Sequence, residues 1–210
     1  MNATIRNALT IQMPETPLAP ALADLIPARA RALGCIDFED YCDLIDREAT
    51  AHLTGGTLVW LDRLRKMRRP RAYFDRKAGT HCLSVCLNAN RTMFAKVEAA
   101  DWIDMQEIGA NGLWQGADTF SGIYVSTTMP LKRQAQIEKL MISRLILDLG
   151  PDEQAGFTDG DTLNLRRDNL YVTAADKRRS RLRSTRAVAQ EAAARRTEMV
   201  TEGRTSDTPS

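Results

Sequence analysis

The spacing of apolar residues turns from a helical to a strand-like period near Arg71, and that change restricts the fold more than any other feature. Before it the period is helical. Phe38, Tyr41, Cys42 and Ile45 fall at i, i+3, i+4 and i+7, on one face of a helix, and Asp37 stands where an N-cap is needed. Ala21 to Leu33 places Leu22, Leu25, Ile26 and Leu33 in a helical pattern that Pro27 interrupts and Gly34 ends. From Arg71 the runs RAYFDRK, HCLSVCLNA and TMFAKVE read as strands, with turns at Gly79 and at Asn88 to Arg91. Between the two regimes Thr54-Gly55-Gly56 closes a helix. The run after it, TLVWLDRLRKMRR, combines a strand-like start with a basic end, and its type stays open. Helices followed by short strands predict an α+β class.

The chain has 210 residues, 43% of them hydrophobic and 27% charged, which is ordinary for a globular protein of one sizeable domain or two small ones. The N-terminus lacks the uninterrupted apolar core of a signal peptide, and no run approaches bilayer length, so a cytoplasmic location and no membrane partner are expected. Cys35, Cys42, Cys82 and Cys86 are expected to be reduced and at least partly buried, since a chain this rich in apolar residues does not need disulfides. Cys82, Ser84 and Cys86 alternate as on one face of a strand, a spacing for packing rather than for a zinc knuckle. Net charge is only +2. Basic residues concentrate in 63–76 and again in 166–186, whereas acids concentrate between Asp37 and Glu48, so local patches carry any nucleic-acid signal. Arg63, Arg65, Lys66, Arg68 and Arg69 form either a phosphate-contacting patch or a solvated helix face.

The stretch from Leu140 to Arg179 has the clearest local grammar. Ser143 reads as an N-cap and Gly150 as the C′ residue of a two-turn helix that Pro151 stops. Asp159-Gly160 is a turn signal between short extended runs, and Thr173-Ala174-Ala175-Asp176 reads as a capping box opening a last helix at about Ala174. That helix is rich in Ala and Arg and has only a thin apolar stripe at Leu182 and Val188.

In residue order this stretch resembles the core of phage-type HNH endonucleases, which read "HRLILGL" and then "VDHINGDxLDNRRxNL". Ser143 to Leu147 matches the first piece, Thr158 to Leu163 the turn, and Arg166-Arg167-Asp168-Asn169-Leu170 the "RRxNL". Upstream, TMFAKV, Asp101-Trp102, Leu113-Trp114 and GIYV resemble the module that precedes that core. The resemblance implies a ββα (His-Me finger) unit behind a small antiparallel sheet, with helices before it and a basic helix after it. With the composition of the two ends, the expected division is a poorly ordered arm (1–19), a helical region with a basic patch and the first strands, of no nameable family (20–86), an HNH-like domain with its upstream sheet module (87–180), a basic helix extension (181–196) and a disordered tail (197–210).

Where the family carries its metal ligand, general base and second ligand, this chain has Gly156, Phe157 and Arg178. Neither Gly nor Phe can take a proton or hold a cation, and a guanidinium adds positive charge where the ion would sit. No catalytic residue and no metal or other cofactor is therefore expected. Asn169 is retained, with a role bracing the loop, and Phe157 is expected to be buried in the space left by metal and water. Trp102 and Trp114 are expected in the core rather than as stacking platforms.

The resulting expectation is a DNA-binding protein of phage or prophage type, derived from an HNH endonuclease and inactive. It would hold duplex DNA through Arg166, Arg167, Lys177, Arg178, Arg179, Arg181 and Arg183. Five neutralised phosphates would give a log K against log salt slope of roughly −4 to −5. One alternative is an active endonuclease using a divalent ion such as Mg, with Asp159 or Asp161 as ligand and His52 or His81 as base. Another is a protein-interaction scaffold docking a partner through the acidic helix 37–48 or the basic helix 174–196. Pairing of Arg166, Arg167, Arg178 and Arg181 with the acidic helix inside the chain would favour the scaffold.

Overall fold

The computed structural model describes residues 21–119, 122–130 and 137–174. It is a mixed α+β structure with several helices and three small antiparallel sheets. A 3-10 turn (Leu22–Leu25) and α1 (Ala28–Ala32) flank Pro27, and Gly34 leaves α1 at φ +93°, where glycine is favoured. In α2 (Phe38–Thr50) the Asp37 carboxylate accepts the Asp40 N–H at 2.9 Å, and the four apolar residues read from the periodicity are all buried. The open segment is helical. It forms α3 (Gly55–Met67), which packs on α2.

The first sheet holds β1 (Arg71–Asp75), β2 (Thr80–Cys86) and β3 (Phe94–Glu98) in that order. Gly79 turns the β1–β2 hairpin at φ +68°, and the Asn88 side chain accepts the Thr92 and Met93 N–H groups to close the next turn. The expected boundary between residues 86 and 87 falls between two strands of this one sheet. Leu83 and Val85 face the core with Ala95 and Val97, and α4 (Ala99–Glu107) covers them. Cys82 and Cys86 share the other face and are buried, as are Cys35 and Cys42, with all four thiols free. Burial raises the Cys42 thiol to about 12.

A second sheet, β4 (Gln115–Thr119), β5 (Gly122–Pro130) and β6 (Ile137–Met141), leads straight into α5 (Ile142–Ile146). Here two expectations are corrected. Met141, the last residue of β6, is the N-cap, and Ser143 lies buried inside the helix, because the chain enters α5 from a paired strand and not from a loop. The left-handed residue after α5 is Asp148 at φ 51°, not Gly150, with Asp148 N–H on Leu145 O (3.2 Å) and Leu149 N–H on Arg144 O (3.0 Å). That bonding pattern is a Schellman turn, and Asp tolerates the left-handed region better than most residues do. The last sheet pairs β7 (Glu153–Phe157) with β8 (Leu170–Ala174). Thr173 and Ala174 therefore belong to a strand instead of opening a helix, and the basic helix expected after them lies outside the described residues.

One apolar cluster runs from Ile26 to Leu170 and takes in α2, α4, α5 and the first sheet. Trp102 and Trp114 are both buried, and Trp102 meets Phe38 and Tyr41 edge-on at 5.6 and 6.3 Å. Among the described residues, no helix is long and apolar enough to cross a membrane.

Candidate nucleic-acid interface

The loop from Thr158 to Asn169, between β7 and β8, holds itself in shape by short-range hydrogen bonds. Gly160 supplies φ +75° for the turn, and the Asp159 carboxylate accepts the Asp161 N–H at 2.8 Å and the Asn164 amide at 2.7 Å. Those donors, the Asn164 amide first, hold the Asp159 carboxyl below its ordinary range. Asp161 in turn accepts the Leu163 N–H at 3.0 Å. Both aspartates of the metal-binding alternative thus accept from the loop's own donors.

Asn169, 4% exposed, joins the two ends of this loop. Its Oδ1 accepts the Asp159 N–H at 2.8 Å, its Nδ2 donates to Asn164 O at 2.8 Å and Asp161 O at 3.4 Å, and its carbonyl accepts the Thr158 N–H at 2.8 Å. The loop is also sewn to the upstream sheets. Lys96 exchanges backbone bonds with Leu163 (2.9 Å) and Leu165 (2.7 Å), and the Thr162 hydroxyl donates to Ile123 O.

Gly156 and Tyr171 are cross-strand partners, and the tyrosine ring lies over the glycine so closely that a Cβ there would sit 2.3 Å from its Cζ. The space that a side chain at residue 156 would take is filled by the Tyr171 ring from the neighbouring strand. An aromatic lying across a strand glycine shields its backbone. Phe157 points to the other face, against Tyr124 at 5.9 Å and the core cluster, but it is half-buried where full burial was expected. The hairpin ends at the rim of the core, so its side chains are only partly covered. Phe157→Ala should accordingly cost about 2 kcal/mol, below the 3–5 typical of a fully enclosed Phe. Urea melts of the two chains measure this, and a loss above 4 kcal/mol would mean the ring is enclosed.

Of the seven expected DNA contacts, the described residues include two, and both are paired inside the chain. Arg166, with its side chain 15% exposed, reaches Asp75 at 2.5 Å and Asp168 at 2.6 Å. Arg167 grips Asp101 at 2.6 Å while leaving 56% of its own side chain exposed. Burial still raises the Asp101 carboxyl above its ordinary value despite that cation. Lys177, Arg178, Arg179, Arg181 and Arg183 lie outside the described residues.

No protein-family model matches the chain, and no curated protein or solved structure matches it.

The basic run of α3 is largely turned inward. Arg65 binds Asp46 at 2.6 Å and Asn111 O at 3.0 Å, Arg68 is buried on the carbonyls of Cys86 and Trp114, and Arg69 fans out to Glu39, Asp43 and Asp46. Arg63 and Lys66 alone of the five are exposed, with Lys66 on Asp62 at 3.1 Å. The acidic helix therefore docks on its neighbours: its carboxylates meet Arg65, Arg69 and, from Glu48, Arg29. For Arg65, Arg68 and Arg69 both readings of the run, phosphate patch and solvated face, are replaced by an internal electrostatic seam. Among the described residues no three of His, Cys, Asp and Glu converge as a metal site, and His81 stacks edge-on against Phe74 at 5.2 Å. Linear sequence offered one missed signal, a strand glycine placed to face a tyrosine once β7 and β8 pair; the ion pairs had none.

Proposed function

We propose that this chain is a DNA-binding protein built on an HNH-type hairpin, of phage or prophage type, that holds duplex DNA without cutting it. The observation that carries the reading is the hairpin itself. Its loop is braced by Asn169 and attached to the preceding sheets, while Tyr171 occupies the space over Gly156 where a metal ligand would project. A scaffold that keeps the loop and fills the metal position retains shape for docking and loses the groups for hydrolysis. Arg167 offers an exposed guanidinium from that loop, and Lys177 to Arg183 follow it directly in sequence.

The internal pairing of Arg166 and of the α3 arginines favours a second reading, a protein-interaction scaffold, because it takes positive charge out of the surface. Two measurements on the full-length chain decide between them. Duplex binding at two salt concentrations should show affinity falling steeply with salt, and plasmid incubated with magnesium or manganese should stay intact. Salt-independent or absent duplex binding would leave the scaffold reading. Nicking that chelator abolishes would restore an active nuclease.

A further inference from the structure

The β1–β2 hairpin is where the structure leaves basic charge uncommitted. Between Arg71 and His81 the only acid is Asp75, against Arg71, Arg76 and Lys77. Asp75 is fully engaged within the chain: its Oδ1 accepts the Lys77 and Ala78 N–H groups at 2.9 and 3.1 Å, and its Oδ2 takes the Arg166 guanidinium at 2.5 Å. Arg166 therefore neutralises the hairpin's single negative charge. Arg71, Arg76 and Lys77 are exposed, and among the described residues none of them makes an ion pair.

The pairing register aligns further donors with these cations. Arg71 stands opposite Ser84 on β2, and Ser84 opposite Lys96 on β3, so the three side chains form one row on one face of the sheet. Tyr73 shares that face, one pleat along, and is 37% exposed. Two cations two strands apart stand about 10 Å from each other, with a hydroxyl between them, which is about three base-pair rises measured along a duplex axis. Guanidinium, ammonium and hydroxyl groups are the usual partners of phosphate oxygens. Glu98 ends the Tyr73–Cys82 row on this face and accepts the Arg167 N–H at 3.2 Å, and the turn at the far end of the hairpin carries Arg76 and Lys77. Among the described residues the outer edge of β1 is unpaired, and the charged Arg71 stands at its start.

We infer that this face of the first sheet, marked by Arg71 and Lys96, together with the β1–β2 turn that carries Arg76 and Lys77, is a docking surface for the sugar–phosphate backbone of duplex DNA. The inference rests on the DNA-binding reading above and moves the main contact away from the hairpin loop, whose Arg166 acts indirectly by cancelling Asp75. Phosphate contacts of this kind position a duplex and carry no base information.

The test uses the full-length chain and a fluorescent duplex, with affinity measured across a salt series. Changing Arg76 and Lys77 together to Ala, in an exposed turn, should make the log K against log salt slope shallower by about 2, one for each lost phosphate contact, with the melting temperature unchanged. Changing Arg71 and Lys96 to Ala should do the same. Arg31 and Arg63, also exposed, changed together to Ala remove equal charge elsewhere and should leave the slope as it is. A slope unaltered in both hairpin variants, or altered equally in the Arg31/Arg63 control, overturns this surface. If only Arg178→Ala with Arg181→Ala flattens the slope, this surface falls and the DNA-binding reading stands. If the native chain does not bind duplex at all, both fall.

Discussion

Replacing Arg68 by Ala should cost roughly 3–4 kcal/mol of stability, the largest loss expected from any single change in the α3 seam. The side chain is 8% exposed, and its guanidinium ties α3 to two other elements at once, through Cys86 O at the end of β2 and Trp114 O just before β4. No carboxylate shares the contact, and burial pulls the guanidinium below its usual pKa. Truncation leaves two buried carbonyls without a donor, each worth about 1–3 kcal/mol, and opens space beside Trp102 and Trp114. Arg68→Lys should recover little, since one ammonium cannot reproduce the planar fork that meets both carbonyls. Urea melts followed by tryptophan fluorescence would read the change. A loss under 1 kcal/mol would show that water replaces the guanidinium and that α3 is held by its apolar side alone.

Asn169→Ala is expected to cost about 3 kcal/mol and to loosen the loop before the rest of the molecule. The Asp159 N–H and the Asn164 carbonyl lose their partners together, and the buried space that the Asn169 amide fills is left open. Asn169→Asp separates the two halves of the role: a carboxylate still accepts from Asp159, but its second oxygen faces the Asn164 and Asp161 carbonyls, so a loss of stability at least as large as in the Ala variant is expected. Hydrogen exchange at Asp159 gives the local readout, fast in the Ala variant and slow in the Asp variant. Equal protection in all three chains would mean that the loop is fixed by its bonds to Lys96 and Ile123 and that Asn169 braces nothing.

What the sequence determined by itself was local. The helical face of Phe38, Tyr41, Cys42 and Ile45, the Asp37 cap, the Gly79 turn and the strands flanking it are each encoded within a few residues, because caps, turns and side-chain periodicity depend only on near neighbours. The same is true of the turn at Asp159-Gly160 and the two strands around it. The start of α5 was misread for the same reason in reverse: nothing near Ser143 tells that β6 pairs with β5 up to Met141, a fact set by a strand more than ten residues away.

Only the tertiary structure decided what the charges do. Arg166 meets Asp75 across 91 residues and Arg167 meets Asp101 across 66, while Arg69 finds acids on α2 more than twenty residues earlier. A run of arginines reads as a surface patch until the fold places carboxylates against it, and Coulomb attraction has no sequence signature. The cover over Gly156 is of the same kind. A missing side chain is visible in the sequence, but the ring that fills its place comes from the opposite strand, and only the β7–β8 register puts Tyr171 there.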